Sequence, residues 1–257
     1  MIGFFIKKAF FDGWDNLLIL ALLNLGYIII IVAVLAAPTA FPTSLSATLL
    51  LLLACVFLFY FYSGGVARYT AELAADRSPE LRNFLQYCRE SLKTSAALAG
   101  ITGVQLIILS VGFPFYLSVG GIFSMIALSI LFWVSVLWWL VSLWVYPVSM
   151  QLETSVKLQL KKSAILFLDN TGFTIFLGFY SLFNFFFSIV TAFLIPGFAG
   201  IRLSRQIALK LRMYKYDYLE ENPGADKKNI PWSALLIEDK EKMGRRTFKG
   251  MIFPWKD

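Results

Sequence analysis

Three long stretches of this chain carry no charge. No Asp, Glu, Lys or Arg occurs between Asn16 and Ala67, between Thr94 and Leu152, or between Asn170 and Ile201. Runs of this kind match lipid as a solvent, because about 20 apolar residues cross the roughly 30 Å hydrocarbon layer as a helix. Composition agrees. Of the 257 residues, 58% are hydrophobic and 15% charged, against about 45–50% and about 25% in soluble domains. Too little polar surface is left to cover a water-facing globule. The expected fold is an all-α, polytopic transmembrane helical bundle in contact with the lipid bilayer.

The first tract divides into a span at Leu17–Ala37 and a second at Ala47–Tyr62, the latter ended by Gly64-Gly65, with the segment PTAFPTSLS as an uncharged turn. Lys7 and Lys8 ahead of an apolar run also fit a cleaved leader. The run is longer than a leader's apolar core, and Asp12 and Asp15 intervene, so a retained span is expected. The second tract holds spans at about Ala96–Ser118 and Ile122–Pro147, joined tightly at Gly120-Gly121. Thr171–Ala199 is long for one helix and short for two.

Lys and Arg decide between those counts. The N-terminus holds Lys7 and Lys8, and the loop after span two holds Arg68, Arg77, Arg82, Arg89 and Lys93. The loop after span four holds Lys157, Lys161 and Lys162, and the segment from Ile201 onward holds the other 13 of the 23. The two turns between paired spans hold none. The positive-inside rule therefore puts both termini and both charged loops in the cytoplasm. That needs about six spans, the last two formed if a helix pair begins near Ser163–Leu168 and turns back between Tyr180 and Asn184, with a re-entrant pair as the alternative.

Between the spans, Ser78-Pro79-Glu80 is a helix-start pattern. Leu81, Phe84, Leu85, Cys88 and Leu92 recur behind it at helical spacing. Amphipathic cytoplasmic helices are expected over 78–95 and 150–163, completing a transmembrane domain of residues 1–200. Residues 201–257 are read as a basic amphipathic helix and tail. In Ile201–Leu219, Arg202, Arg205, Lys210, Arg212 and Lys215 are candidates to face anionic lipid head groups, each worth about 1 kcal/mol near a charged leaflet; nucleic acid is not an expected partner. Past the break at Asn222-Pro223-Gly224, the apolar anchors Trp232, Phe253 and Trp255 are candidates for tail docking, on the chain itself or on a partner.

Little catalytic chemistry is on offer. The chain has no histidine and two cysteines, Cys55 and Cys88, which removes His-based triads, His proton shuttles and nearly all catalytic zinc sites. No phosphate-binding loop, nucleophile elbow or cysteine cluster occurs, and no enzyme activity, cofactor or metal is expected. The polar positions inside the tracts are Asn24, Gln105 and Asn184, with Asp169 at a boundary. Amides there more often join helices than bind substrate. Asp169 is either an ion-coupling carboxylate or, as favoured here, part of an interfacial Asp169-Asn170-Thr171-Gly172 cap on the next helix. Pro114, Pro147 and Pro196 mark places where freed carbonyls can line a cavity.

The run GGVARYTAELAADRSPELRNFLQYCRESLKTSAALAG after span two, and the run YPVSMQLETSVKLQLKKSAILFLDNTGFTIF leaving span four, resemble the corresponding regions of the YesL-like family of small bacterial inner-membrane proteins. The likeness covers roughly residues 10–215 and excludes the tail after Tyr216. It implies a multi-spanning protein of the bacterial cytoplasmic membrane linked with carbohydrate uptake, and it carries no catalytic residues over. The functional expectation is a non-enzymatic accessory subunit attached to a transporter through its cytoplasmic helices or tail; the alternative is a transporter or channel for a small solute acting alone.

Overall fold

The computed structural model describes residues 1–40, 43–226, 229–244 and 246. Every regular element among them is helical: α1 (Ile2–Asp15), α2 (Leu17–Ala40), α3 (Leu45–Ala74), α4 (Phe84–Glu90), α5 (Leu92–Val119), α6 (Gly121–Gln151), α7 (Val156–Asp169), α8 (Thr171–Val190), α9 (Gly197–Glu221), α10 (Trp232–Leu235) and α11 (Ile237–Met243). Five of these, namely α2, α3, α5, α6 and α8, are long and apolar enough to cross a membrane. The chain is an all-α membrane protein.

Two hairpins form as their turn residues require. Gly120 and Gly121 link α5 to α6 at φ +68° and +81°, a left-handed conformation that costs a glycine little. The Ser44 hydroxyl accepts a hydrogen bond from the Ala47 N–H at 3.4 Å and so caps α3. Gly64-Gly65, however, does not end the second span: α3 runs through it to Ala74. The glycines serve packing instead. A Cβ on Gly65 would lie 2.3 Å from the Cys88 sulfur of α4, and one on Gly64 would lie 2.2 Å from the Ser91 hydroxyl. Gly65→Ala is expected to lower stability by about 1–3 kcal/mol through overpacking, read as a lower thermal midpoint in detergent.

The same contact corrects the expectation for residues 78–95. Ser78 and Pro79 start no helix; a single 3-10 turn, Leu81–Asn83, leads into the short α4, which packs its Phe84 and Cys88 on α3. The next span already begins at Leu92.

The third tract departs furthest from expectation. α8 continues unbroken through Tyr180–Asn184, because the aromatic run there contains no turn former. The reversal comes later, at residues 191–196, and the returning partner is α9, not a second apolar helix. Antiparallel packing is evident at both ends. The Gly197 N–H donates to the Ser188 hydroxyl at 2.9 Å, while Lys215 pairs with Asp169 at 3.1 Å. Ser163–Leu168 belongs to α7, which stops at Asp169.

α9 is the axis of the bundle. Ile201, Leu203, Ile207, Ala208, Leu209 and Leu211 are all buried, in a core shared with Leu20, Leu23 and Tyr27 of α2, Val66 and Tyr69 of α3, Trp144 of α6 and Leu177 of α8. A boundary at residue 200 therefore falls inside one continuous, fully packed helix. α9 did not read as a core helix because its mean composition is polar; helices on several sides bury it nonetheless.

Candidate functional site

Asn24 fixes where α9 begins. It is fully buried, its amide nitrogen donates to the Leu194 and Pro196 carbonyls at 2.9 Å each, and its amide oxygen accepts the Ala199 N–H at 2.8 Å. It satisfies backbone groups that a helix start inside a membrane would otherwise leave unpaired. Gly197, at φ +60°, is pressed against this amide: a Cβ would sit 2.2 Å from the Asn24 nitrogen. Asn24 is thus helix glue, as amides in spans commonly are.

One turn further along α9 lie Arg202 and Arg205, three residues apart and so on one face of the helix. They do not face lipid head groups. Both are partly buried and line a half-open cavity of about 330 Å³ between α3, α5, α6, α8 and α9, whose other walls include Phe59, Tyr60, Trp139, Tyr146, Ser181 and Phe185. Tyr60 stands eight residues before Arg68, the first charge at that end of α3, which is about 12 Å along a helix. The pair is therefore held well inside the uncharged part of the bundle.

Arg202 lays its guanidinium over the Tyr146 ring at 4.7 Å, a cation–π contact that offsets part of its desolvation. The charged and titratable neighbours of Arg205 are Arg202, Tyr27 and Tyr60. Among the described residues neither arginine forms an ion pair with a carboxylate, and the buried Arg205 Nε has no hydrogen-bond partner. The nearby hydroxyls are mostly committed. Tyr146 donates to the Tyr60 carbonyl at 2.6 Å, Tyr60 meets the Thr102 hydroxyl at 2.8 Å, and Ser142 donates to the Trp139 carbonyl at 2.7 Å. Ser181 differs: it is 4% exposed and its hydroxyl has no partner. A double positive charge and a free donor thus converge on an apolar-walled space.

The remaining basic residues of α9 are also turned inward. Lys210 lies 3.2 Å from both Asp76 and Asp239. Arg212 stacks over Phe173 at 4.0 Å and lies 5.8 Å from the Trp232 ring, so Trp232 docks on the chain itself. Lys215 is buried and holds Asp169, which also accepts the Tyr216 hydroxyl at 2.6 Å. Asp169 is an ion-pair partner, and neither it nor Asn170 caps α8 through its side chain. Asn184 donates to the Tyr180 carbonyl of its own helix at 2.8 Å. Gln105 is partly exposed on α5 and makes no hydrogen bond among the described residues. Phe253 and Trp255 lie outside the described residues.

The charged end of the bundle holds a network that sequence spacing did not disclose. Lys8, 2% exposed, reaches Asp12 at 3.1 Å and Asp76 and Asp239 at 3.6 Å each. Asp239 brings α11 onto α1 and α9, and Arg246 pairs with Asp15 at 2.6 Å. Lys8 and Asp12 stand four residues apart on one helix, whereas Asp76 and Asp239 reach Lys8 from distant parts of the chain.

This network sets a pH window. Burial would raise the Asp76 carboxyl, but the Lys8 and Lys210 ammonium groups and hydrogen bonds from Lys210 and Lys242 hold it below its ordinary value. Its contribution is present above the unfolded value and lost as pH falls through the lowered one. For Lys8 burial lowers the pKa, yet Asp12, Asp239 and Asp76 together raise it, so its contribution is present below the ordinary lysine value and lost as pH rises through the raised one. Asp12 runs the other way: burial pushes it up despite Lys8, and acid favours its folded form. In acid the Asp76 and Asp12 contributions oppose each other, so the unopposed edge is the alkaline one: the thermal midpoint in detergent should fall above about pH 10.5 as Lys8 loses its proton.

No family model, no curated protein and no solved structure matches the chain.

Proposed function

We propose that the protein binds an anionic substrate in the arginine cavity and carries it across the membrane on its own, the second of the two functions the sequence left open. The observation that carries this is the pair Arg202 and Arg205: two guanidinium groups deep in the bundle with no carboxylate partner among the described residues. Even one arginine at the centre of a membrane helix costs about 2.5–3.5 kcal/mol on insertion scales. Two on one helix turn repel each other, and a chain that keeps them inside needs a counter-charge. An anion arriving as ligand supplies it.

The setting belongs to the same proposal. With every basic cluster gathered at the end of the bundle that carries both α1 and α11, the positive-inside rule puts that end in the cytoplasm. The YesL-like resemblance implies a bacterial cytoplasmic membrane, whose anionic head groups would meet Lys157, Lys161 and Lys162 and leave the basic residues of α9 to the interior.

The test is flux into liposomes containing this chain alone. Accumulation of an anionic solute is expected, with Arg205→Gln reducing it at least about tenfold, the low end for loss of a charged hydrogen bond. No flux, together with a stoichiometric companion in gentle purification, would move the assignment to the accessory subunit of a sugar transporter that the YesL-like resemblance implies.

A further inference from the structure

We infer that the ligand of the arginine cavity is a phosphomonoester with an apolar body. The inference rests on the anion-site proposal and narrows it to one chemical class.

Charge balance comes first. Arg202 and Arg205 bring two positive charges to one turn of α9, with no carboxylate in ion-pair reach among the described residues. A monocarboxylate would leave one of them uncompensated in a poorly solvated interior, whereas a phosphomonoester near neutral pH carries close to two negative charges on a single group. Donor count agrees. With the Tyr60, Tyr146 and Ser142 hydroxyls already engaged and Arg202 also in contact with the Tyr27 hydroxyl, the groups left to a ligand are the remaining guanidinium N–H donors, the Arg205 Nε among them, and the Ser181 hydroxyl. Planar guanidinium forks match phosphoryl oxygens two at a time, and Ser181 adds a donor for a further oxygen. The walls then define the rest of the molecule. Phe59, Trp139, Phe185 and Phe198 surround the arginines with aromatic surface. A polyhydroxylated body would lose its hydrogen bonds to water against such walls and find few in return. An apolar body loses none, and about 330 Å³ is within the range of small-ligand pockets.

Two sources offer this chemistry: a soluble phosphomonoester and a membrane lipid ending in one, such as phosphatidic acid. The experiment titrates the full-length protein in detergent with phenyl phosphate, benzoate and succinate, and then in nanodiscs with and without phosphatidic acid. Phenyl phosphate is expected to bind at least about tenfold more tightly than benzoate. Its affinity should rise about tenfold between pH 5 and 7 as the second phosphoryl proton, with a pKa near 6, is lost. The chain has no histidine, and the titratable side chains by the cavity are Arg202, Arg205 and the phenols of Tyr27, Tyr60 and Tyr146. Those side-chain classes ionise far above this range, so the profile reports the ligand. Arg202→Gln and Arg205→Gln should each weaken binding about 10- to 100-fold, and Ser181→Ala about 3- to 10-fold. Displacement of phenyl phosphate by phosphatidic acid assigns the lipid source; undiminished binding in its presence assigns the soluble one. Benzoate or succinate binding as tightly as phenyl phosphate, or a phenyl phosphate affinity unchanged between pH 5 and 7, would overturn the phosphomonoester and leave an anion site standing. No binding of any of the three would overturn both. The pH profile and the competition use the unaltered protein, so neither depends on a variant that folds.

Discussion

Lys8→Met is expected to lower stability by about 3–5 kcal/mol, the range for breaking a buried ion pair from one side. Lys8 is 2% exposed, and its ammonium group sits among three carboxylates, of Asp12, Asp76 and Asp239. Methionine fills the volume but leaves Asp12 without its partner and Asp239, itself 2% exposed, with Lys210 alone. Because Asp239 brings α11 onto α1 and α9, the variant should also release the C-terminal segment. Limited proteolysis should cut near residues 237–243 before the bundle is touched, and the thermal midpoint in detergent should fall. The paired replacement Lys8→Met with Asp12→Leu should recover a large part of the loss, since removing both partners costs much less than removing one. A single variant as stable as the parent would show that Lys8 is solvated in a way its burial contradicts.

The second large effect is expected at Asn24. Leucine there would remove three hydrogen bonds at once, leaving the Ala199 N–H and the Leu194 carbonyl unsatisfied in the interior, while the Pro196 carbonyl keeps the Gly200 N–H at 3.0 Å. A loss of about 2–4 kcal/mol follows from buried backbone groups of this kind. The effect should reach further than stability, because Asn24 fixes the start of α9, and Arg202 and Arg205 lie five and eight residues beyond Gly197. Phenyl phosphate binding by whatever Asn24→Leu protein remains folded should be weaker than in the parent. Gly197→Ala, which would place a methyl group 2.2 Å from the same amide at φ +60°, should produce the same two changes. Thermal unfolding and calorimetric titration on both variants would check this, and an Asn24→Leu protein with unaltered anion affinity would separate the α9 start from the site.

Much of the membrane architecture was legible in the residues. The charge-free tracts located four of the five spans and overcounted in the third tract, where two were expected and one, α8, is found; Gly120-Gly121 located a hairpin, since a pair of glycines between two apolar runs is a local signal that packing does not override. Gly64-Gly65 gave a similar signal with a different meaning. A glycine pair serves equally to break a helix or to let a neighbour approach, and only the presence of Cys88 and Ser91 against α3 distinguishes the two. The turn assigned to Tyr180–Asn184 was placed by span counting without a turn former, and α8 runs straight through it to Val190. The cavity was not legible at all. Arg202 and Arg205 follow the last uncharged tract directly, as membrane-surface arginines often do, and nothing in their spacing distinguishes a lipid-facing pair from one turned inward. Ser181, Tyr60 and Tyr146 belong to three different helices and have no local pattern in common.

The sequence by itself determined the solvent, the helical class and the place of most apolar spans, because these follow from local quantities: the length of each apolar run, the absence of charge within it, and its composition. Only the tertiary structure decided what the basic residues of α9 do. Periodicity shows that a helix has unlike faces, but the energy of a charged side chain depends on what lies beside it. For α9 those neighbours come from α1, α2, α3, α6 and α8, brought around it from as far as the other end of the chain.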